Sequence, residues 1–217
     1  MQELKRLGDI IRRDPFRMDC LHALRSLDLP QGYIGAGFVR NSIWDELHER
    51  VKPTPLNDID VIFFSDEIAV SQNVAIAQTS TEPAFQQQEH SLITAAAKSE
   101  IKTQEKAIER QLTQIMPQAN WQVKNQARMH LAHGHPPYKS SHEAISHWIE
   151  RETCVAIRLL TNDDLEVLAP FGLEANFAGT ISINPQYPRP DVFSKRVSSK
   201  NWLDVWPLLK LREQRLK

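Results

Sequence analysis

Apolar residues recur at helical spacing over residues 2–13, where Leu4, Leu7, Ile10 and Ile11 stand among charges. Asp14-Pro15 interrupts this pattern, and Pro15 suits the first turn of a second helix carrying Met18, Leu21, Leu24 and Leu27. Residues 31–36 read as a short buried strand, punctuated by Gly35 and Gly37. Val39, Ile43 and Leu47 then follow at i, i+4 and i+8, which predicts a helix from about Phe38. A polar loop with Pro53 and Pro55 leads to a strand over residues 58–64. Its alternation sets Asp58, Asp60 and Ile62 on one face and Ile59, Val61 and Phe63 on the other.

Residues 66–100 lose this periodicity. They are rich in Gln, Ser, Thr and Ala, with five acids and one Lys, and read as an inserted loop. Helical spacing returns over 101–115. Residues 120–131 alternate as a strand, with Gln122, Lys124, Gln126 and Arg128 on one face. A helix over 141–150, a strand over 165–169, a helical turn over 174–177 and a C-terminal helix broken at Trp206-Pro207 complete the pattern.

Composition narrows the class. The 217 residues fit one domain, 1–217, with 41% hydrophobic residues to build a core. A net charge of -1 implies no global attraction to nucleic acid or anionic membrane. The charge is uneven, because residues 195–217 hold seven Lys or Arg against two acids and read as a basic C-terminal helix. Cys20 and Cys154 have no motif spacing, which fits a reducing, cytoplasmic setting. No run approaches 18 apolar residues, so no membrane span is expected.

Chemistry concentrates between Gly35 and Phe64. A strand, a glycine turn and a helix start make a phosphate seat of Gly35, Gly37, Arg40 and Asn41, because a helix N-terminus presents unpaired N–H groups and a partial positive charge. Asp58 and Asp60 on one strand face lie about 6–7 Å apart at their Cα atoms, a spacing at which carboxylates can converge on Mg2+ or Mn2+. Lys124 and Arg128 are candidates to hold a triphosphate if their strand lines the same cleft.

These residues resemble the nucleotidyltransferase superfamily that includes DNA polymerase beta. They are more closely similar to a bacterial group labelled nucleotidyltransferase family protein. The resemblance rests on Gly35 to Asn41 with Trp44-Asp45, Asp58 to Val61, Val123 to His130, Ala169 to Leu173, Lys200 to Trp202 and Trp206-Pro207. It implies an α/β (α+β) fold, with a mixed β-sheet flanked by helices. It also implies Asp58 and Asp60 as metal-binding catalytic residues and a nucleoside triphosphate as substrate. The chain departs from the pattern at Ala36-Gly37, in the longer stretch before Asp58, and in lacking an evident third carboxylate, for which Glu166 is the substitute.

The expected activity is Mg-dependent transfer of a nucleoside monophosphate to a hydroxyl acceptor. That acceptor is a small molecule, a protein or an RNA. The alternatives are a nucleotide-binding module of the same fold without catalysis, favoured by the missing third carboxylate, and an RNA-interacting protein using the basic C-terminus.

Overall fold

The computed structural model describes residues 2–65 and 100–212. Helices α1 (Gln2–Arg12) and α2 (Pro15–Arg25) open the chain. The Asp14 carboxylate accepts the Arg17 N–H and caps α2, while Pro15 occupies a first-turn position that needs no backbone donor.

A five-stranded sheet follows, made of β1 (Tyr33–Gly35), β2 (Ile59–Phe63), β3 (Trp121–Asn125), β4 (Ala156–Leu159) and β5 (Leu165–Leu168). Its order is β3-β2-β1-β4-β5. Strands β2 and β3 are parallel and the other pairs antiparallel, so the sheet is mixed as expected. Register aligns Val123, Val61, Ile34, Ile157 and Val167 in one row across all five strands. That row packs against Leu7 and Ile11 of α1, Leu21 and Leu24 of α2, and Val39 and Ile43 of α3 (Gly37–Leu47). Each such side chain contributes about 1.5–3 kcal/mol when fully buried. The period of two therefore sends Asp60 to the opposite face.

The helical stretch 100–115 guards the edge of the sheet. Glu109 accepts the Val123 N–H at 3.1 Å, and Glu105 accepts the Asn125 N–H at 2.9 Å. Outward-facing donors of an edge strand are thereby closed to another chain. A second, two-stranded parallel sheet joins β6 (Thr180–Ser182) to β7 (Lys210–Arg212). The Glu152 carboxylate fastens β6 by accepting from Thr180 Oγ1, Ser182 Oγ and the Ser182 N–H. Trp44, Ile181, Trp202, Trp206 and Leu209 form the apolar cluster beside it.

Three elements differ from the sequence expectations. The strand read over 120–131 stops at Asn125, whose side chain accepts the Ala127 N–H and starts a 3-10 helix, Gln126–Ala132. Arg128 therefore leaves the sheet face. The C-terminal helix is instead two helices, Pro190–Lys200 and Trp202–Val205, because Asn201 turns left-handed with φ 50°. Strand β7 then follows Pro207, where tertiary pairing with β6 overrides the helical pattern. Of the insertion expected at 66–100, residues 66–99 lie outside the described residues, and residue 100 is helical. Among the described residues no helix is long and apolar enough to cross a membrane.

Replacing Glu105 by Ala should cost about 1–3 kcal/mol, because a buried strand N–H loses its acceptor. Lys124→Met, which removes only the half-exposed partner of the same carboxylate, should cost less than 1 kcal/mol. Urea unfolding of the two variants checks this order.

Candidate active site

The turn between β1 and α3 is built by close approach. A Cβ on Gly35 would lie 2.9 Å from the Trp148 ring, so only glycine fits there. Ala36 adopts φ 53° and ψ -120°, a conformation that favours glycine. Its N–H donates to Val155 O at 2.9 Å, and its carbonyl accepts from the Arg40 N–H at 3.0 Å. These bonds hold a strained residue in place, at a cost of about 1–3 kcal/mol. The chain thus passes from strand to helix through the single residue Ala36. No side chain caps α3, so its first N–H groups and its positive end remain available.

The opening of α3 faces a cavity of about 540 Å³. Asp58 and Asp60 line the cavity with Ala36, Gly37, Arg40 and Asn41. Burial and the neighbouring Asp58 raise the Asp60 pKa to about 6, against the opposing pull of Arg40, Lys200 and Arg196. Two carboxylates so placed repel one another and favour a bound cation. Gln122, level with Asp60 on β3, donates its side-chain amide to Asp58 at 3.3 Å. A neutral amide therefore occupies the strand position beside the pair.

Three cations also line the cavity: Arg40, Arg196 and Lys200. Arg40 is only 6% exposed. It donates to Thr153 Oγ1 at 2.7 Å and to Asn41 Oδ1, and it lies over Trp44 and Trp202. Burial lowers its pKa to about 10, with Glu150 opposing most strongly, so it remains charged at neutral pH. Arg196 pairs with the buried Glu150 carboxylate at 2.5 Å. Lys200, at the end of the Pro190–Lys200 helix, is exposed and has no ion-pair partner among the described residues.

The remaining wall is held by Asp45, which is buried in α3. It accepts from Thr54 N at 2.7 Å, Thr54 Oγ1 at 2.6 Å and Trp206 Nε1 at 2.8 Å. One carboxylate thereby ties the 54–57 loop and the Trp202–Trp206 segment to α3. Pro55, Leu56, Trp202, Val205 and Trp206 give that side an apolar lining.

The structure gathers Gly37, Arg40, Asn41, Asp58 and Asp60 in one cavity and sets Gly35 immediately before it. The other named residues are not brought there. Glu166 lies on β5, three strands from β2, or about 14 Å at the usual strand spacing. It accepts from Tyr33 at 2.5 Å and pairs with Arg158 at 2.8 Å. Lys124 is engaged by Glu105 at 2.9 Å, and Arg128 lies on the 3-10 helix. Arg196 and Lys200 are in the cavity although the sequence pattern assigned them only to a basic tail. The surplus of charge over 195–217 was the signal available for finding them.

The donor set fits a divalent magnesium-like cation. Such an ion keeps several waters and takes one or two protein carboxylates together with substrate phosphate oxygens. Asp58 and Asp60 match that number. Among the described residues no group of three or more His, Cys, Asp or Glu forms a closed metal cage.

Two stability measurements follow. Because the Asp60 pKa is raised from 3.8 to about 6 in the fold, the native state binds more protons than the unfolded chain in that window. Its contribution to stability therefore falls as pH rises from about 4 to 6. In chelator, Asp60→Asn should raise Tm at pH 7.5, with the gain fading below pH 4. Ala36→Gly should relieve backbone strain by more than glycine costs in entropy, giving about 1 kcal/mol and a Tm gain of about 2–4 °C. Calorimetry that found a lower Tm for Ala36→Gly would show the turn to be unstrained.

The profile of a nucleotidyltransferase family matches residues 22–94 and 95–211. A protein solved by NMR and described as revealing a CCA-adding enzyme head domain is also similar. It shares 28% identity and a TM-score of 0.71, over 97% of this chain and 96% of that one. No curated protein matches the sequence. With the family profile spanning most of its length, the chain belongs to the nucleotidyltransferase family.

Proposed function

We propose that the cavity is a divalent-metal-dependent site that transfers a nucleoside monophosphate from a nucleoside triphosphate to an acceptor oxygen. The carrying observation is that Asp58 and Asp60, the uncapped start of α3, and three cations line one cavity. Family membership supports nucleotidyl transfer as the chemistry, and the likeness to a CCA-adding head domain is in keeping with nucleotide addition.

Asp58 and Asp60 would hold Mg2+ or Mn2+, which when bound neutralises phosphate charge and polarises the phosphorus under attack. The backbone N–H groups at Gly37 and the following residue meet phosphate oxygens at the positive helix end. Lys200 supplies a mobile ammonium to the triphosphate, and Arg196, already oriented by Glu150, supplies a fixed guanidinium. Arg40 is too buried to travel, so it acts through the field it sets at Asp60. The apolar wall of Pro55, Leu56, Trp202 and Trp206 offers the nucleobase a surface that excludes water.

A second reading is a nucleotide-binding module of this fold without catalysis. Gln122 favours it, since a neutral amide stands beside the carboxylate pair.

The test is incubation of the protein with each labelled nucleoside triphosphate, Mg2+ or Mn2+ and candidate acceptors. Label transfer is expected, with loss in EDTA and loss in a folded Asp60→Ala variant. Lys200→Gln should raise KM for the triphosphate about tenfold with a smaller change in kcat. A melting shift with metal and nucleotide but no product would select the binding module. Transfer by Asp60→Ala at the parent rate would end the proposed mechanism.

A further inference from the structure

Away from the cavity, three histidines gather where two loops meet. His147 follows the Ser141–Ser146 helix and is only 8% exposed. Tyr187 stacks on its ring at 3.7 Å with planes 19° apart. The rings of His135 and Tyr138 lie 4.6 and 4.7 Å from it. His135 Nδ1 pairs with the Tyr138 hydroxyl at 2.6 Å, and His133 lies 5.6 Å from His135. His147 Nδ1 is buried without a hydrogen-bond partner. Ring contacts at His147 thus join the 133–139 turn to the 184–189 loop.

A neutral imidazole suits this packing, and a charged one does not. A proton on His147 would bury a charge close to Arg189, which donates to His147 O at 2.9 Å and lies 3.5 Å from His133 Nδ1. Burial chiefly holds the His147 pKa below the usual histidine value, with His135, Arg189 and His133 acting the same way and Glu143 against them. Burial, then Arg189 and His135, lowers the His133 pKa too. Tyr138 and Tyr187 carry no charge at neutral pH. The packed cluster therefore binds fewer protons than an opened one. Its contribution to stability is complete above about pH 6.5 and is lost as pH falls below that value.

The loop leads to the cavity. The fully buried Asn184 fastens its base, donating to Ser146 O and Trp148 O and accepting from the Gln186 and Tyr187 N–H groups. At its other end Arg189 O accepts the Phe193 N–H at 2.9 Å and starts the Pro190–Lys200 helix, which ends with Lys200 in the cavity. We propose that the His147 cluster is a pH-sensitive latch. Neutral imidazoles hold Tyr187 and Arg189 down, and protonation frees the 186–189 stretch and the first turn of the helix that carries Arg196 and Lys200. The latch stands on this packing and does not depend on the reaction assigned to the cavity.

Hydrogen exchange of the full chain at pH 7.5 and 5.5, corrected for the intrinsic effect of pH, tests it. Amides of residues 186–193 should exchange about tenfold faster in acid, the factor that one pKa unit between closed and open forms produces, while those of β1 and β2 keep their protection. Asp60→Asn should respond like the parent, which separates the latch from titration in the cavity. His147→Phe, which keeps a ring and loses the proton site, should stay closed at pH 5.5. The parent supplies a second measurement. The His147 ring signal followed by NMR should titrate below pH 6.5, together with a change in the Tyr187 ring signals. Equal exchange of the parent at both pH values would overturn the latch. So would parental opening in His147→Phe, loss of the response in Asp60→Asn, or titration of His147 without any change at Tyr187.

Discussion

The architecture of this protein depends on a buried cation. Arg40 carries a full charge at 6% exposure, which would be strongly unfavourable without compensation. The compensation comes from four separate stretches of chain. Asn41 and Thr153 accept its hydrogen bonds, Trp44 and Trp202 present ring faces, and the carboxylates of Glu150, Asp60 and Glu152 surround it with opposite charge. Helix α3, strand β2, the 150–153 turn and the C-terminal helices are therefore specified relative to one another. An apolar residue there would fill space, but it would not select which carboxylates gather around the cavity.

The same charge explains how the carboxylate pair is tolerated. Asp58 and Asp60 repel, and burial works against ionisation of Asp60, while Arg40, Lys200 and Arg196 work in its favour. The balance leaves Asp60 with a pKa raised to about 6 rather than locked in a salt bridge. Ala36 adds backbone strain at the same place. Local unfavourable terms concentrate at the cavity, and the packed row from Val123 to Val167 supplies stability away from them.

Asp45 shows how a second buried charge shapes the site without touching its chemistry. Its carboxylate joins Thr54 and Trp206, positions 9 and 161 residues away in sequence. That pairing sets the apolar wall of the cavity. Together, Asp45 and Arg40 fix the polar and the apolar sides of the cavity relative to α3.

The local parts of this arrangement were legible in the sequence. The helix from Gly37 follows from its apolar spacing, and Asp58 and Asp60 share a side because strand periodicity is a property of neighbouring residues. Where a short-range competitor acts, legibility falls: Asn125 captures the Ala127 N–H and ends β3, so Arg128 leaves the face its alternation assigned. What the tertiary structure alone decided is which distant charges meet. Lys124 was taken by Glu105 and Glu166 by Tyr33 and Arg158, while Arg196 and Lys200 were carried into the cavity on a helix more than 130 residues from Asp60. Periodicity fixes the side of an element a residue occupies. It carries no information about which element packs opposite, because that choice is made by summed burial and charge compensation across the whole chain.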